Sequence, residues 1–177
     1  VWSPRITQGF DNIYFADFPF IKGNRKYLTY AASMEVQSLS NEQIIYLSNA
    51  LKSFDQISVR EINLCELLRP LTSKKIQHVL DPTLLIDSLI WEKVAINPRI
   101  NKKYVLVYQV RVNERTTQIA NEIAKQIGGT VIETVAWLNR GCFKNKYQTA
   151  SPETFLGLIK YASCIVTTSF HGTAFSV

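Results

Sequence analysis

The stretch Cys164-Ile-Val-Thr-Thr-Ser-Phe-His-Gly-Thr-Ala-Phe-Ser-Val177 decides the fold. Cys164 to Thr168 is an apolar, β-branched run that reads as a buried strand. Ser169-Phe170-His171-Gly172-Thr173 breaks the run, and the small residues that follow open a helix. A strand that turns into a helix is a frequent anion site. The first backbone N–H groups of the helix lack partners and carry partial positive charge. In open parallel sheets the ligand crevice lies beyond the carboxyl ends of the strands. His171 is expected at that place.

Working outward from this stretch, the same strand–helix unit recurs. Tyr104-Val-Leu-Val-Tyr-Gln-Val110 is nearly continuous in apolar residues, as suits a strand buried on both faces. A helix over 114–127 follows, with Ile119, Ile123 and Ile127 in one stripe and Ala120 and Ala124 beside it, closed by Gly128-Gly129. Thr130–Val135 is the next strand. Ser151-Pro152-Glu153 supplies an N-cap, a first-turn proline and an acidic first turn to a helix buried through Phe155, Leu158, Ile159 and Ala162.

Earlier in the chain, residues 26–33, 56–59 and 75–80 read as strands. Ser40-Asn-Glu-Gln43 is a capping box that opens a helix with Ile44, Leu47 and Leu51 on one face. A second helix runs from Glu61 to about Leu68, before Pro70. Residues 1–24 are aromatic-rich, without a clear period, and are expected to be loop and short helical turn over a core. The polar run 98–103 is the best linker. The expected class is therefore α/β with parallel sheets, in two parts, 1–97 and 98–177.

Composition excludes several function classes. The chain has 177 residues, 46% hydrophobic and 19% charged, as in an ordinary globular protein. It holds no apolar run of about 18 residues of the kind that spans a bilayer. Only two histidines (His78, His171) and three scattered cysteines (Cys65, Cys142, Cys164) are present, with no C-x-x-C pair. No metal site is expected, and the cysteines suit a reducing compartment, the cytoplasm. The net charge of +6 suits an anionic partner: a phosphorylated donor, an acidic glycan or an anionic membrane surface. Lys and Arg are dispersed without a recognition motif, so nucleic acid is not an expected partner. The chain lacks an initiator Met and stops inside an element, and we read it as a piece of a longer protein.

His171 can act as acid, base or donor to a phosphate. Ser169, Thr168 and Thr173 either contact an anion or cap the helix start. Gly172 lets a ligand approach the backbone. Arg60, just after a strand, either binds an anion or pairs with a neighbouring element. Asp81 follows another strand and most simply caps the next turn. Arg111 and Asn113 stand in the loop after the strand 104–110. Ser169 and His171 share one tight turn without a nucleophile elbow, which disfavours a Ser–His nucleophile. Neither a P-loop nor a G-x-G-x-x-G is present.

Three stretches together carry a family resemblance. They are Ser58-Val-Arg-Glu61, then Val79-Leu-Asp-Pro-Thr-Leu-Leu85 with Trp91, and finally Thr167-Thr-Ser-Phe-His-Gly-Thr-Ala-Phe-Ser176 preceded by the helix from Ser151. In this order and spacing the sequence resembles the polysaccharide pyruvyl transferase family. Val1-Trp-Ser-Pro4 and Tyr30-Ala-Ala-Ser33 fit the same pattern.

The resemblance implies a GT-B-like fold of two Rossmann-like lobes, each incomplete in this chain. It implies pyruvyl transfer from phosphoenolpyruvate to sugar hydroxyls of a surface polysaccharide or its lipid-linked precursor, giving a ketal or an enol ether. No cofactor is implied, and peripheral membrane association would suit a lipid-linked acceptor. The family places the donor beside the His of Ser-Phe-His-Gly, here His171. Ser169, Gly172, Thr173, Arg60 and Arg111 become candidate substrate contacts. The base for the sugar hydroxyl stays open among Asp17, Glu35 and Glu61. Activity is expected of the parent protein rather than of this piece alone. A GT-B glycosyltransferase using a nucleotide sugar, or a non-catalytic glycan-binding relative, are the alternatives.

Overall fold

A computed structural model of the chain describes residues 2–4, 8–17, 25–35, 38–110, 113–135, 146–147 and 150–177. Arg111 and Cys142 therefore lie outside the described residues, as do parts of the aromatic-rich start. The chain divides into two units, Val1–Pro82 and Thr83–Val177. Each has strands paired in parallel and helices packed on them, a mixed α/β arrangement consistent with a Rossmann-like fold.

In the first unit α1 (Asn41–Ala50) starts at the expected capping box. Ser40 Oγ accepts from Gln43 N, and Gln43 Oε1 accepts from Ser40 N. The helix seats Leu47 and the following Leu51 in the core, while Ile44 is half-buried. Strands β1 (Ile57–Val59) and β2 (Ile76–His78) pair in parallel, with α2 (Ile62–Leu68) between them in sequence. Trp2, Phe15, Met34 and Phe54 complete this core, with the Trp2 and Phe15 rings stacked at 4.9 Å.

The strand expected over 26–33 is replaced by two isolated parallel bridges, Leu28 to Gln56 and Ala32 to Val59. The cause is Ala31, whose φ of 50° is left-handed and breaks the ladder. Its N–H goes instead to Ser58 Oγ, which in turn donates to Thr29 O at 2.7 Å. Side chains there do the work of missing rungs.

In the second unit β3 (Tyr104–Gln109) is central, between β4 (Thr130–Val135) and β6 (Cys164–Thr167), with β5 (Lys146–Tyr147) outside β4. Val105, Leu106 and Val107 are wholly buried, as the apolar run predicts. Helix α4 (Glu114–Ile127) is capped by Asn113 and ends on Gly128, whose φ of 64° needs a residue tolerant of the left-handed region. Its buried stripe is Thr116, Ala120 and Ala124, while Ile119 is exposed. Small side chains let the helix lie close on β3, and the isoleucines flank that contact instead of forming it.

Helix α3 (Ser88–Val94) packs on α5 (Pro152–Lys160) through Trp91 and its neighbours. Ile96 N donates to Glu153 O at 2.9 Å, and Gly157 allows the approach, since a Cβ there would overlap the Ile96 carbonyl. The sequence draws its boundary after residue 97. The structural division falls after Pro82, because this packing ties 83–97 to the second unit. Strand β6 is half-buried rather than buried, since β3 covers one edge and no strand among the described residues covers the other. No helix among the described residues is long and apolar enough to cross a membrane.

Candidate functional site

In the first unit, the carboxyl ends of β1 and β2 bring four polar side chains together. Arg60 follows β1 directly. Its Nη1 donates to Asp81 Oδ2 at 2.6 Å, its Nε to Glu61 Oε1 at 3.0 Å, and its Nη2 to Ser33 Oγ at 2.8 Å. Ser33 Oγ donates onward to Glu61 Oε1 at 2.7 Å. His78 Nε2 lies 2.9 Å from the Arg60 carbonyl. Burial of the guanidinium opposes its charge, but its hydrogen bonds to Asp81 and Glu61, with their negative charges, outweigh that and hold its pKa above the ordinary arginine value. Arg60 is thus ion-paired with neighbouring elements, and Asp81, 4% exposed, anchors it from the end of β2.

Glu61 is the residue of this cluster that stands open. Its Oε1 is satisfied by Arg60 and Ser33, but its Oε2 is buried with no hydrogen-bond partner among the described residues. A desolvated carboxylate oxygen without a donor costs about 1–3 kcal/mol. A ligand hydroxyl would supply the missing donor once the groups that cover this oxygen move aside.

In the second unit, β6 leads into α6 (Phe170–Ala174), a helix of five residues. Thr167 Oγ1 donates to Tyr108 O at 2.6 Å and accepts from Ser169 N at 3.0 Å, which fixes the turn to the end of β3. Ser169 is buried and is the N-cap, accepting from Gly172 N at 3.4 Å. Thr173 Oγ1 donates back to Ser169 O, while Thr168 is exposed. Of the three hydroxyls that either contact an anion or cap the helix start, two therefore serve the helix start. A single short helix also contributes little of the field that a long helix end supplies.

Gly172 is buried, and a Cβ there would meet Tyr108 Cδ1 at 2.9 Å and Thr167 Cβ at 3.0 Å, with Thr167 Oγ1 closer still. The space its missing side chain leaves is filled by the ends of β3 and β6. His171 is exposed at the end of β6, its ring edge-on to Phe170 at 5.3 Å. Phe175 locks α6 from below, edge-on to Trp91 at 5.3 Å and to Phe155 at 6.2 Å. A cavity of about 650 Å³ in this unit, lined by Trp91, Lys160, Cys164 and Phe175 among others, lies at the start of β6 and does not include His171. The chemistry-bearing residues stand at the opposite end of the strand.

The match to a family model decides what these strand ends belong to. The model of the polysaccharide pyruvyl transferase family matches residues 3–177. The chain belongs to the polysaccharide pyruvyl transferase family. No curated protein and no solved structure matches it. The match covers the SVRE stretch that holds Arg60 and Glu61, the DPT stretch that holds Asp81 and the SFHG stretch that holds His171.

Sequence reading missed Gln109 and Glu133. Both are buried on the face of the second sheet that α4 covers, with Gln109 Nε2 3.3 Å from Glu133 Oε1 and Gln109 Oε1 accepting from Asn113 N. The available signal was a carboxylate inside an apolar strand, Thr130-Val-Ile-Glu-Thr-Val135. Among the described residues no group of three His, Cys, Asp or Glu is placed to hold a metal. Cys65 and Cys164 are free thiols.

Proposed function

We propose that this polysaccharide pyruvyl transferase moves the pyruvyl group of phosphoenolpyruvate onto hydroxyls of a surface polysaccharide or its lipid-linked precursor, in the cytoplasm and without a metal or cofactor. The two units then correspond to the lobes of a GT-B fold, donor on the second and acceptor on the first. The observation that carries the reading is the exposed His171 at the carboxyl end of a parallel strand, in a chain whose residues 3–177 match the family model.

The chemistry divides into three steps. The donor's methylene carbon takes a proton, leaving an oxocarbenium-like centre at the carbon that bears the phosphate. A sugar hydroxyl adds there and loses its proton. Departure of phosphate regenerates the cationic centre, which a second hydroxyl closes to a ketal, or which loses a methyl proton to give an enol ether. His171 protonates the departing phosphate or holds it, an acid–base role worth about 10²–10⁴-fold. Arg111 is a further candidate on the donor side.

Among Asp17, Glu35 and Glu61, the bonding of Glu61 favours it for the acceptor hydroxyl. Arg60 and Ser33 fix one carboxylate oxygen, and the other is without a donor among the described residues. In this reading Arg60 is a positioning residue, itself held by Asp81. The test is phosphate release from phosphoenolpyruvate by the full-length protein with and without a sugar acceptor. Acceptor-dependent release that falls by at least about 10²-fold in His171→Ala is expected. Consumption of a nucleotide sugar instead, or full turnover in His171→Ala, overturns the reading.

A further inference from the structure

Helix α3 is packed with its apolar face outward. Leu84, Leu85, Ile86, Leu89, Ile90 and Val94 are each at least 40% exposed, within eleven residues of chain. At about 100° per residue, Leu89, Ile90, Lys93 and Val94 share roughly 140° of the helix circumference. Trp91 and Ala95 take the opposite side. Trp91 holds the helix in this orientation, its Nε1 donating to Thr83 O at 3.1 Å and its ring against Phe175. This inverts the ordinary surface helix, whose apolar stripe faces the core.

Charge selects what covers the face. Lys93, exposed, stands within the apolar arc. The acidic residues of the helix are turned to other tasks: Asp87 caps it by accepting from Leu89 N, and Glu92 pairs with Lys160 at 2.9 Å. The arc Leu89–Val94 thus carries one cation, Lys93, with the capping Asp87 at its N-terminal edge, in a chain of net charge +6. A two-fold contact between copies centred here would bring one Lys93 against the other. Anionic lipid headgroups complement it. Apolar side chains at the headgroup–acyl boundary with a basic residue among the phosphates is the composition of an interfacial helix.

We propose that the outward face of α3 docks this protein on an anionic membrane surface. Leu89, Ile90 and Val94 enter the interface and Lys93 meets lipid phosphate. The inference rests on the proposed function only for the nature of the acceptor, a lipid-linked sugar presented at that surface.

The test is co-sedimentation of the full-length protein with phosphatidylcholine vesicles, with and without phosphatidylglycerol. Binding to the anionic vesicles alone, weakened by salt, is expected. Lys93→Glu should lower partitioning about fivefold or more, and Leu89→Ser with Ile90→Ser about tenfold or more, both folded by circular dichroism. Turnover with a water-soluble acceptor should be unchanged in these variants, so absence of pyruvyl transfer refutes the function without touching the docking. No vesicle binding by the parent, binding that survives both variants, or a dimer by sedimentation that the serine pair converts to monomer, overturns the proposal.

Discussion

Replacing Gly172 by Ala separates two reasons for a glycine beside the candidate histidine. If the glycine admits a ligand to the backbone, the change should weaken donor binding and leave the fold alone. The structure favours the other reason. A Cβ at 172 meets Tyr108 Cδ1 at 2.9 Å and presses on Thr167, whose Oγ1 is bonded to Tyr108 O and Ser169 N. Moving Thr167 strains two hydrogen bonds, worth roughly 1 kcal/mol each. Overpacking adds about 1–3 kcal/mol. Alanine recovers only about 1 kcal/mol of helix propensity. The net is a loss of about 2–4 kcal/mol from the second unit. For a unit of this size each kcal/mol lowers the melting temperature by about 4–8 °C. Denaturant unfolding of four proteins, the parent, Gly172→Ala, Thr167→Ala and the pair, provides the assay. With Thr167 already shortened, the glycine change should cost about 1–3 kcal/mol less, a favourable coupling. A Gly172→Ala protein with parental stability and weakened phosphoenolpyruvate binding would refute the packing account.

Two further outcomes follow from the first unit. Glu61→Gln keeps an acceptor for Ser33 and Arg60 but removes the negative charge that the buried Oε2 shares. Turnover should fall about 10²–10⁴-fold with phosphoenolpyruvate binding unchanged, and unfolding should shift by no more than about 1 kcal/mol, because Glu61 is about a third exposed; equal turnover would remove it from the acceptor site. Tyr46 donates to Asn12 Oδ1 at 2.6 Å, and burial first, then the charges of Asp17 and Asp11, raise its pKa above the ordinary tyrosine value. The folded state therefore favours the neutral phenol, a stabilisation complete below about pH 10 and lost as pH rises through the raised value. Melting curves on either side of that range should show an alkaline loss that Tyr46→Phe reduces.

Periodic apolar segments were legible because their local preferences agree with the packing they enter. The run Tyr104–Val110, the capping box at Ser40 and Gly128 at the end of α4 each state one structural demand, and the structure meets each. The differences share a cause that no local pattern records. Ala31 takes a left-handed conformation because Ser58 and Thr29 supply side-chain rungs from another segment. Residues 83–97 belong to the second unit because Gly157 lets the chain close on α5, a fact visible only when the two are side by side. Of the isoleucine stripe of α4, Ile123 and Ile127 pack beside the alanines while Ile119 is exposed, because the close approach of helix to sheet centres the contact on Ala120 and Ala124.

The candidate site shows the same division more sharply. His171 was legible from its place after a β-branched run, since topology alone puts such a residue at a strand's carboxyl end. Its hydroxyl neighbours were not, because a serine or threonine at a helix start satisfies either a ligand or the helix, and the choice depends on distances of tenths of an ångström. Ser169 and Thr173 chose the helix. Arg60 posed the same ambiguity with opposite consequence. A free guanidinium at a strand end would attract an anion, but among the described residues the one cation is held between two carboxylates, a net negative formal charge. Such a cluster repels a phosphate and suits a neutral hydroxyl. Under the proposed function, the electrostatics of the first unit fit acceptor recognition there, and a phosphorylated donor is assigned to the second unit, where His171 stands exposed.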